Sequence, residues 1–432
     1  TLVRRQGIVM QASISSTFKL SLIAAAFMGL VLSGCRPAES GASSGSSSSS
    51  SSSTEGGSES AGRAAPSANA AAPEGDVIKI GLVASQNGDL RPWGADSVFG
   101  ARLAISEIND AGGINGKKVE LLVEDSNSSP EQGKTAAEKL GGSGIQVMVG
   151  EVASGITRQM ADVAFTKGLP LIAVGATNPD ITKGKSNVFR VCYTDDLQGP
   201  VMAKFAYEEL GLRKIAVMTD QAQPYSVGLS ASFSAKFKEL GGEIVSEQTY
   251  KSKDTQFGAQ LTNLRQFSPD GMFLSGYFNE VGPIVKQAVQ AGLKNVKFLG
   301  GDGWDSKEIL TNGGEAIVGS YFCNHYNNED DRQEVKDFLA KWKAKYAVAP
   351  GTTMGALAYD SVMLAADALK RAKTLDGKGI IEALEATEGF RAVSGDITLK
   401  GNEGNPPKRA IVVELTPDGQ KFAKAYEATE VK

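Results

Sequence analysis

Short apolar segments alternate with longer amphipathic ones from residue 76 onward. Residues 77–83 have the apolar pattern of a buried strand, and residues 97–110 carry apolar side chains at helical spacing. The predicted strands are 77–83, 118–124, 146–150, 169–174, 214–219, 243–250, 271–275 and 297–300, and the predicted helices are 97–110, 130–140, 157–167, 226–240, 257–265 and 281–291. This alternation is typical of parallel sheets. We therefore predict an α/β fold with two doubly wound parallel-sheet lobes.

The beginning of the chain has a different pattern. Arg4, Arg5 and Lys19 precede an apolar segment at 20–32, which is shorter than the roughly 20 residues of a membrane-spanning helix. A basic start, a short apolar core and small residues before Cys35 are typical of a secretory signal. Leu-Ser-Gly-Cys also resembles the bacterial lipoprotein signal, in which the cysteine is lipidated. We predict a signal peptide at 1–35 ending at a lipidated Cys35; an ordinary signal peptide with a chance cysteine is the alternative.

A segment of small and polar residues follows the signal. Residues 36–75 are nearly all Ser, Gly, Ala, Pro and Glu, including the serine run 46–53. Such a composition buries too little apolar surface to order itself, so we predict a flexible linker. We expect the protein on the periplasmic or extracellular face of the cell membrane, held there through its lipid anchor only.

Charge and motif content exclude several classes of function. The net charge is −4, and the folded part has no basic run that would bind nucleic acid. His325 is the only histidine, and Ser154 lacks the Gly-x-Ser-x-Gly pattern of a hydrolase nucleophile. The sequence has no metal-ligand spacing and no phosphate-binding loop. We expect neither an enzyme nor a cofactor or metal site.

Ligands of open parallel sheets bind beyond the carboxyl ends of the strands. Two turns of small residues follow predicted strands in the first lobe, at 150–157 and 175–179. Ser154 and Thr177 lie in these turns and could donate hydroxyl groups to a carboxylate. Either residue could instead be only a helix N-cap.

The corresponding turns of the second lobe are aromatic and acidic. Tyr225 and Tyr277 follow predicted strands, and Asp302 lies between two glycines after another. A carboxylate there could accept from an ammonium group, and the tyrosines could form flat walls. Asp302 could instead form an Asx turn, and Tyr277 could simply pack in the core. Donors on one lobe and a carboxylate on the other suit a zwitterionic ligand.

Several segments carry a resemblance to a known family. They are 80–83, 112–116, 150–157, 175–177, 195–199 and 301–305. In these segments the chain resembles the substrate-binding proteins of branched-chain amino acid ABC transporters, which have the type I periplasmic-binding-protein fold. The resemblance covers the chain from Val77 onward. It implies two lobes joined by a three-strand hinge, an amino acid ligand, permease subunits as partners and a monomeric protein.

The resemblance also implies site residues and lobe boundaries. The ligand α-carboxylate is expected at Ser154, Gly175, Ala176 and Thr177, the α-ammonium at Asp302, and aromatic walls at Trp93, Tyr225 and Tyr277. The chain is expected to cross between lobes near 195–198, 324–327 and 392–395. The first lobe would then comprise 76–197 and 326–392, and the second 198–325 and 393–432.

Two residues depart from the family pattern, and two cysteines leave a question open. Glu151 could point into the side-chain end of the pocket, which would disfavour an aliphatic ligand, or it could be turned away or paired. Trp93 would reshape the same space. Cys192 and Cys323 lie close to the first two crossings and could form a disulfide or remain buried thiols.

Other functions remain compatible with the same fold. A ligand sensor is one alternative, although we expect transport because no membrane span or signalling segment follows Lys432. A small amide, urea or an aromatic acid is the other alternative as ligand. Asp302 favours a ligand that carries an amine, since a buried carboxylate without a partner is unfavourable.

Overall fold

Two β-sheets organise the chain in the computed structural model, which describes residues 63–72 and 75–431. The predicted signal peptide, Cys35 and most of the predicted linker lie outside these residues. Within the described ranges no helix is long and apolar enough to cross a membrane.

The first sheet is entirely parallel, with the strand order β2-β1-β3-β4-β5. Its strands are β1 (Val77–Ala84), β2 (Lys118–Asp125), β3 (Val147–Val149), β4 (Leu171–Ala173) and β5 (Val188–Arg190), and the helices between them are α1 (Arg91–Asp110), α2 (Pro130–Gly141) and α3 (Ser154–Lys167). In register, Ile80 lies between Leu121 of β2 and Val147 of β3. All three central strands are largely buried, because helices cover the sheet.

The second sheet has the order β12-β11-β10-β9-β8-β6-β7. Its strands are β6 (Lys214–Asp220), β7 (Glu243–Tyr250), β8 (Gly271–Ser275), β9 (Lys297–Gly300), β10 (Tyr321–Asn324), β11 (Ala410–Thr416) and β12 (Gly419–Tyr426), and the helices before β10 are α4 (Asp195–Lys204), α5 (Pro224–Glu239), α6 (Gly258–Arg265), α7 (Phe278–Gln290) and α8 (Glu308–Gly313). Strands β6 to β10 are parallel, and β11 and β12 add an antiparallel edge. Both sheets thus contain the doubly wound order, with a switch point between β1 and β3 and another between β6 and β8.

The chain returns to the first sheet after β10. Helices α9 (Gln333–Tyr346) and α10 (Met354–Arg371) pack on α1, and α11 (Gly377–Glu385) packs on α10. The contact between α1 and α10 is close at Gly100, where a Cβ atom would lie 1.8 Å from the carbonyl oxygen of Gly355. We call each sheet with the helices that cover it a lobe.

The third crossing between lobes lies later than predicted. The amides of Val393 and Ser394 donate to the buried Asp360 carboxylate of α10 at 2.9 Å each. The amide of Arg190 in β5 donates to the carbonyl of Gly404 at 3.0 Å. Residues 393–404 therefore belong to the first lobe, and the predicted crossing at 392–395 is wrong. The chain joins the second sheet only at β11, after residues 393–404 have formed hydrogen bonds with Asp360 and with β5.

Residues 63–72, the N-terminal strap, are ordered on the first lobe, so the predicted linker ends too late. Arg63 donates from Nε to the carbonyl of Lys185 at 2.7 Å and from Nη2 to that of Val188 at 2.5 Å. Its guanidinium also lies over the Phe189 ring. Further along, the amide of Ala70 donates to the carbonyl of Gly168. Composition missed the strap because it is held mainly by hydrogen bonds, with little apolar burial besides that of Ala70.

We predict that Arg63→Ala lowers the free energy of unfolding by about 1–2 kcal/mol, because two carbonyl groups lose a charged donor. Thermal or urea unfolding measures this change. Arg158→Ala, which removes an exposed arginine from α3, is the matched control and should leave stability nearly unchanged. Equal stability of the two variants would contradict the role of Arg63.

Candidate ligand-binding cleft

The turns beyond the strand ends of the two lobes enclose a small cavity with about 10 Å³ of free space. It is lined by Trp93, Val152, Ser154, Gly175, Tyr225, Tyr277, Asp302, Gly303 and Met354. Six of these residues are predicted site residues, and they come from both lobes. This space holds no more than about one water molecule, so the lobes must separate before the cleft can admit a ligand.

An arginine holds the first-lobe turn that contributes Gly175. The Arg190 guanidinium is fully buried and donates to the carbonyls of Ala176 and Asn178 at 2.6 and 3.0 Å. The Asn178 amide in turn donates to Oγ of Ser154, the first residue of α3, at 3.3 Å. The turn and the start of the helix are therefore fixed to each other. Ala176 lies behind the cavity wall, where its carbonyl serves Arg190.

Thr177 also lies behind the wall rather than on it. Its carbonyl accepts from the amide of Asp195, which begins α4, at 3.0 Å. Its hydroxyl oxygen accepts from Nε2 of Gln198 at 3.4 Å. Thr177 thus bonds to Asp195 and Gln198 at the first crossing. It does not itself line the cavity.

Gln198 holds the Asp302 carboxylate from one side. Its Nε2 donates to Oδ1 of Asp302 at 3.0 Å, and its Oε1 accepts from the Asp302 amide at 3.1 Å. The same Nε2 donates to Oδ1 of Asp195 at 2.8 Å. A Cβ atom on Gly301 would lie 2.9 Å from Oε1 of Gln198 and 2.6 Å from the Tyr225 hydroxyl. The glycine before Asp302 therefore makes this close approach possible.

The second oxygen of Asp302 has a different partner. Oδ2 lies 3.0 Å from Nε2 of His325, the residue that follows β10. Both side chains are almost fully buried. The carboxylate is thus fixed on both sides, yet it still forms part of the cavity wall.

Three aromatic rings form a continuous wall. Tyr225 and Tyr277 stack with centroids 5.3 Å apart, and Trp93 meets Tyr277 edge to face at 5.1 Å. Burial and the nearby Asp302 carboxylate raise the pKa of Tyr277 well above its usual value, so its hydroxyl stays protonated. That hydroxyl has no hydrogen-bond partner among the described residues, which leaves it available to a ligand.

Contacts between the lobes close the cleft around these groups. Nε1 of Trp93 in the first lobe donates to the carbonyl of Asp305 in the second at 2.7 Å. Nδ2 of Asn178 donates to the carbonyl of Pro224 at 2.9 Å. Trp93 is 1% exposed, so the indole is sealed between the lobes. A ligand can reach the cavity only if these contacts open.

The model of a periplasmic binding protein family matches residues 77–420, which contain both lobes and every cavity residue. The chain belongs to this family. That assignment and the two doubly wound lobes confirm the predicted resemblance and fold class. Because the family consists of binding proteins, it also supports the prediction that the protein is not an enzyme.

Individual relatives agree with the family. The chain is 31% identical over 347 residues to the Leu/Ile/Val-binding protein homolog 1 of Brucella suis, covering 79% of this chain and 91% of that one. It is 33% identical, with a TM-score of 0.76, to the structure of a leucine-binding protein from Thermotoga maritima. The same values apply to the branched-chain amino acid transporter substrate-binding protein of Streptococcus pneumoniae in complex with isoleucine. Each comparison covers 81% of this binding protein and 99% of the other chain.

Glu151 is not part of the cavity wall of this binding protein. Its Oε1 accepts from the hydroxyls of Ser85 and Ser126 at 2.5 and 3.0 Å. Its Oε2 accepts from the amides of Val152 and Ala153 at 2.8 and 2.9 Å. The carboxylate is therefore paired within the first lobe, and the apolar side chain of Val152 forms the wall instead.

The cysteines near the crossings do not form the disulfide that the sequence left open. Cys192 and Cys323 are free buried thiols. Burial raises the pKa of Cys192 to about 12, which keeps its thiol protonated. Its Sγ lies 3.4 Å from the carbonyl of Ala176 and donates to it.

Sequence reasoning missed several residues that shape the cleft. They are Val152, Gln198, Arg190, Gly303 and Met354, besides the pairing of His325 with Asp302. Gln198 could have been suspected, because it lies within a predicted crossing beside an acidic pair. Met354 left no such signal, since it begins a helix of the first lobe more than fifty residues after Asp302.

Asp195 generates a pH-dependent prediction. Burial, and then repulsion by Asp302, raise its pKa to about 7. Because this value exceeds that of an unfolded aspartate, the protonated form stabilises the fold. The contribution is complete below about pH 4 and is lost as the pH rises through about 7.

We expect Asp195→Asn to flatten the dependence of the melting temperature on pH over that window, relative to the unmodified protein. Other buried carboxyl groups titrate in the same range, so the informative quantity is the difference between the two curves. Differential scanning calorimetry from about pH 4 to 8 provides it. Parallel curves would show that protonation of Asp195 does not contribute to the pH dependence of stability.

Proposed function

We propose that this binding protein is the extracytoplasmic component of an ABC importer and holds an amino acid, branched-chain or related, between its lobes. The observation that carries the proposal is Asp302, a carboxylate 4% exposed that faces a closed cavity. A buried carboxylate favours a cationic partner, because burial of an unpaired charge is unfavourable. An α-ammonium group supplies that partner.

The opposite wall suits the other half of a zwitterion. Ser154 begins α3 and faces the cavity, and helix N-termini attract negative groups through their free amides. We place the ligand α-carboxylate there, beside the turn that contains Gly175. The two charges of an amino acid then meet complementary groups on different lobes. Binding both halves favours the closed arrangement, because only that arrangement brings the groups together.

The remaining walls favour an apolar side chain. Val152 and Met354 supply aliphatic and thioether surface, and Trp93 and Tyr277 supply aromatic surface. Because the Glu151 carboxylate is satisfied elsewhere, it does not disfavour an aliphatic ligand. The isoleucine complex of the Streptococcus pneumoniae relative supports this choice of ligand class.

The N-terminal residues add a location to the proposal. A lipid on Cys35 would anchor the chain, and residues 36–62 would connect that anchor to the strap on the first lobe. Delivery to the permease would then occur beside the membrane. We expect a monomeric protein that works with permease subunits.

A thermal-shift screen on residues 36–432 tests the proposed ligand class. We expect leucine, isoleucine or valine to raise the melting temperature, because a ligand that binds the native state stabilises it by mass action. The screen also includes the other amino acids, urea, short amides and benzoate. Stabilisation by an amide or an aromatic acid, with no effect of any amino acid, would contradict the proposal.

Asp302→Asn tests the ammonium site. We expect the amino acid identified in the screen to bind at least about 100-fold more weakly, because its ammonium loses a buried charged partner. Isothermal titration calorimetry measures the dissociation constant. Asp331→Asn is the control, since the Asp331 side chain is 98% exposed. Equal affinities of the two variants would refute the assignment of Asp302.

Trp93→Phe tests closure. The variant keeps an aromatic wall but loses the donor that joins the lobes at Asp305, so we expect about fivefold weaker binding. Trp342→Phe removes a buried indole of α9 away from the cavity and controls for lost core packing. Unchanged affinity in Trp93→Phe would show that this hydrogen bond does not contribute to closure.

A further inference from the structure

His325 occupies a position that the proposed function does not yet use. It is the only histidine of the chain and is 3% exposed. Its ring stacks on Tyr193, with centroids 4.2 Å apart and an interplanar angle of 24°. Its Nε2 lies 3.0 Å from Oδ2 of Asp302. The imidazole is therefore held in one orientation against the carboxylate that we assign to the ligand ammonium.

The partners of the ring restrict its protonation. A carboxylate only accepts hydrogen bonds, so Nε2 must carry a proton to bond Asp302. Nδ1 is buried and has no partner in the described ranges. The ring is thus either neutral, with its proton on Nε2, or cationic, with protons on both nitrogens. The cationic form gives Asp302 a second positive partner.

Other charged groups surround the ring without competing for Asp302. Asp305 lies on the same turn as Asp302, and its carboxylate accepts from Thr353 and Gln420. Asp195 approaches Asp302 through Gln198. His325 also lines a solvent-open cavity of about 400 Å³ at the hinge. The charged residues of that cavity are Arg332, Arg391, Arg409, Asp330, Glu334, Asp396 and Glu427.

The charges of the hinge cavity are largely paired with one another. Arg332 and Arg409 both contact Asp330, at 3.1 and 3.2 Å. Arg391 pairs with Glu334. Among the described residues, Asp302 is the only carboxylate within hydrogen-bond distance of the His325 imidazole.

We propose that His325 is a positioning residue whose protonation sets the affinity of the cleft for its ammonium ligand. Neutral His325 orients Asp302 by a single hydrogen bond and leaves its negative charge to the ligand. Cationic His325 competes with the ligand ammonium for that charge. Acidification therefore weakens binding, and binding releases a proton. This inference rests on the proposed function, because it needs a ligand that carries an ammonium group.

The two effects are linked by thermodynamics. If protonation of the ring lowers ligand affinity by a given factor, ligand binding lowers the proton affinity of the ring by the same factor. We expect about a tenfold effect, within the usual range of coupling between two sites. The titration midpoint of the imidazole should then move by about one pH unit towards acid when the ligand is saturating.

The single histidine makes the measurement direct. In untagged residues 36–432, NMR detects one imidazole, which can be titrated with and without L-leucine or the best amino acid of the screen. Calorimetry at about pH 5.5 and 7.5 supplies the dissociation constants. We expect about fivefold weaker binding at the lower pH, because this window does not span the whole tenfold effect, and the matching shift of the imidazole midpoint.

Two variants distinguish a role of His325 that depends on its protonation from a purely structural role. His325→Gln keeps a side-chain N–H that can reach Asp302 but cannot become charged, so affinity should no longer depend on pH. Asp195→Asn removes a second titratable carboxyl group, which is joined to Asp302 through Gln198, and it should keep the pH dependence of affinity. A purely structural role of His325 would lower stability in His325→Gln and leave the pH profile of binding intact, which would overturn the proposal.

The outcomes also separate this inference from the proposed function. If no amino acid binds at any pH, both proposals fail. If an amino acid binds equally at both pH values, only the role of His325 fails. If binding weakens with acid but the imidazole midpoint does not move, another group carries the proton and the inference is again wrong.

Discussion

The buried carboxylate of Asp302 is the constraint on which the rest of the cleft depends. A charge that is removed from water requires fixed partners, and here each oxygen has one. Gln198 bonds both Oδ1 and the Asp302 amide, and His325 bonds Oδ2. Gln198 approaches closely because a glycine precedes Asp302 and leaves room for its Oε1. The surrounding turns, the start of α4 and the end of β10 are therefore arranged around a single carboxyl group.

Closure of the lobes depends on a second group of polar contacts. Trp93 reaches the carbonyl of Asp305, and Asn178 reaches that of Pro224. Each is a single hydrogen bond that contributes little net free energy. Together they favour the closed arrangement but can still break. Arg190 is different, since it is fully buried and bonds two carbonyls of the same turn. The first lobe is thus rigid beside the cavity, while contacts between lobes can be exchanged for water.

The sequence predicted the alternating strands and helices, and it placed six residues on the cavity wall, because strand ends are local features. It could not decide where the Glu151 side chain points. The Glu151 carboxylate accepts hydrogen bonds from Ser85 and Ser126, which come together only when β1 and β2 pair. The third crossing was misplaced for a similar reason, because the Asp360 carboxylate accepts hydrogen bonds from the amides of Val393 and Ser394 and keeps them in the first lobe. In each case the deciding partner lies far away in sequence. Composition likewise could not reveal the hydrogen bonds of Arg63 and Ala70 that hold the strap.

The partners of Asp302 also explain how a small ligand can affect the whole molecule. Gln198 lies at the first crossing between lobes, and His325 lies directly after β10, where the chain leaves the second sheet. Both oxygens of the carboxylate are therefore bonded to residues at hinge segments. In the proposed complex, the ammonium group at Asp302 would change the electrostatic field on these two segments as well as in the cavity. The proposed ammonium site would thus couple ligand charge to lobe arrangement through one side chain, without any long chain of intermediate residues.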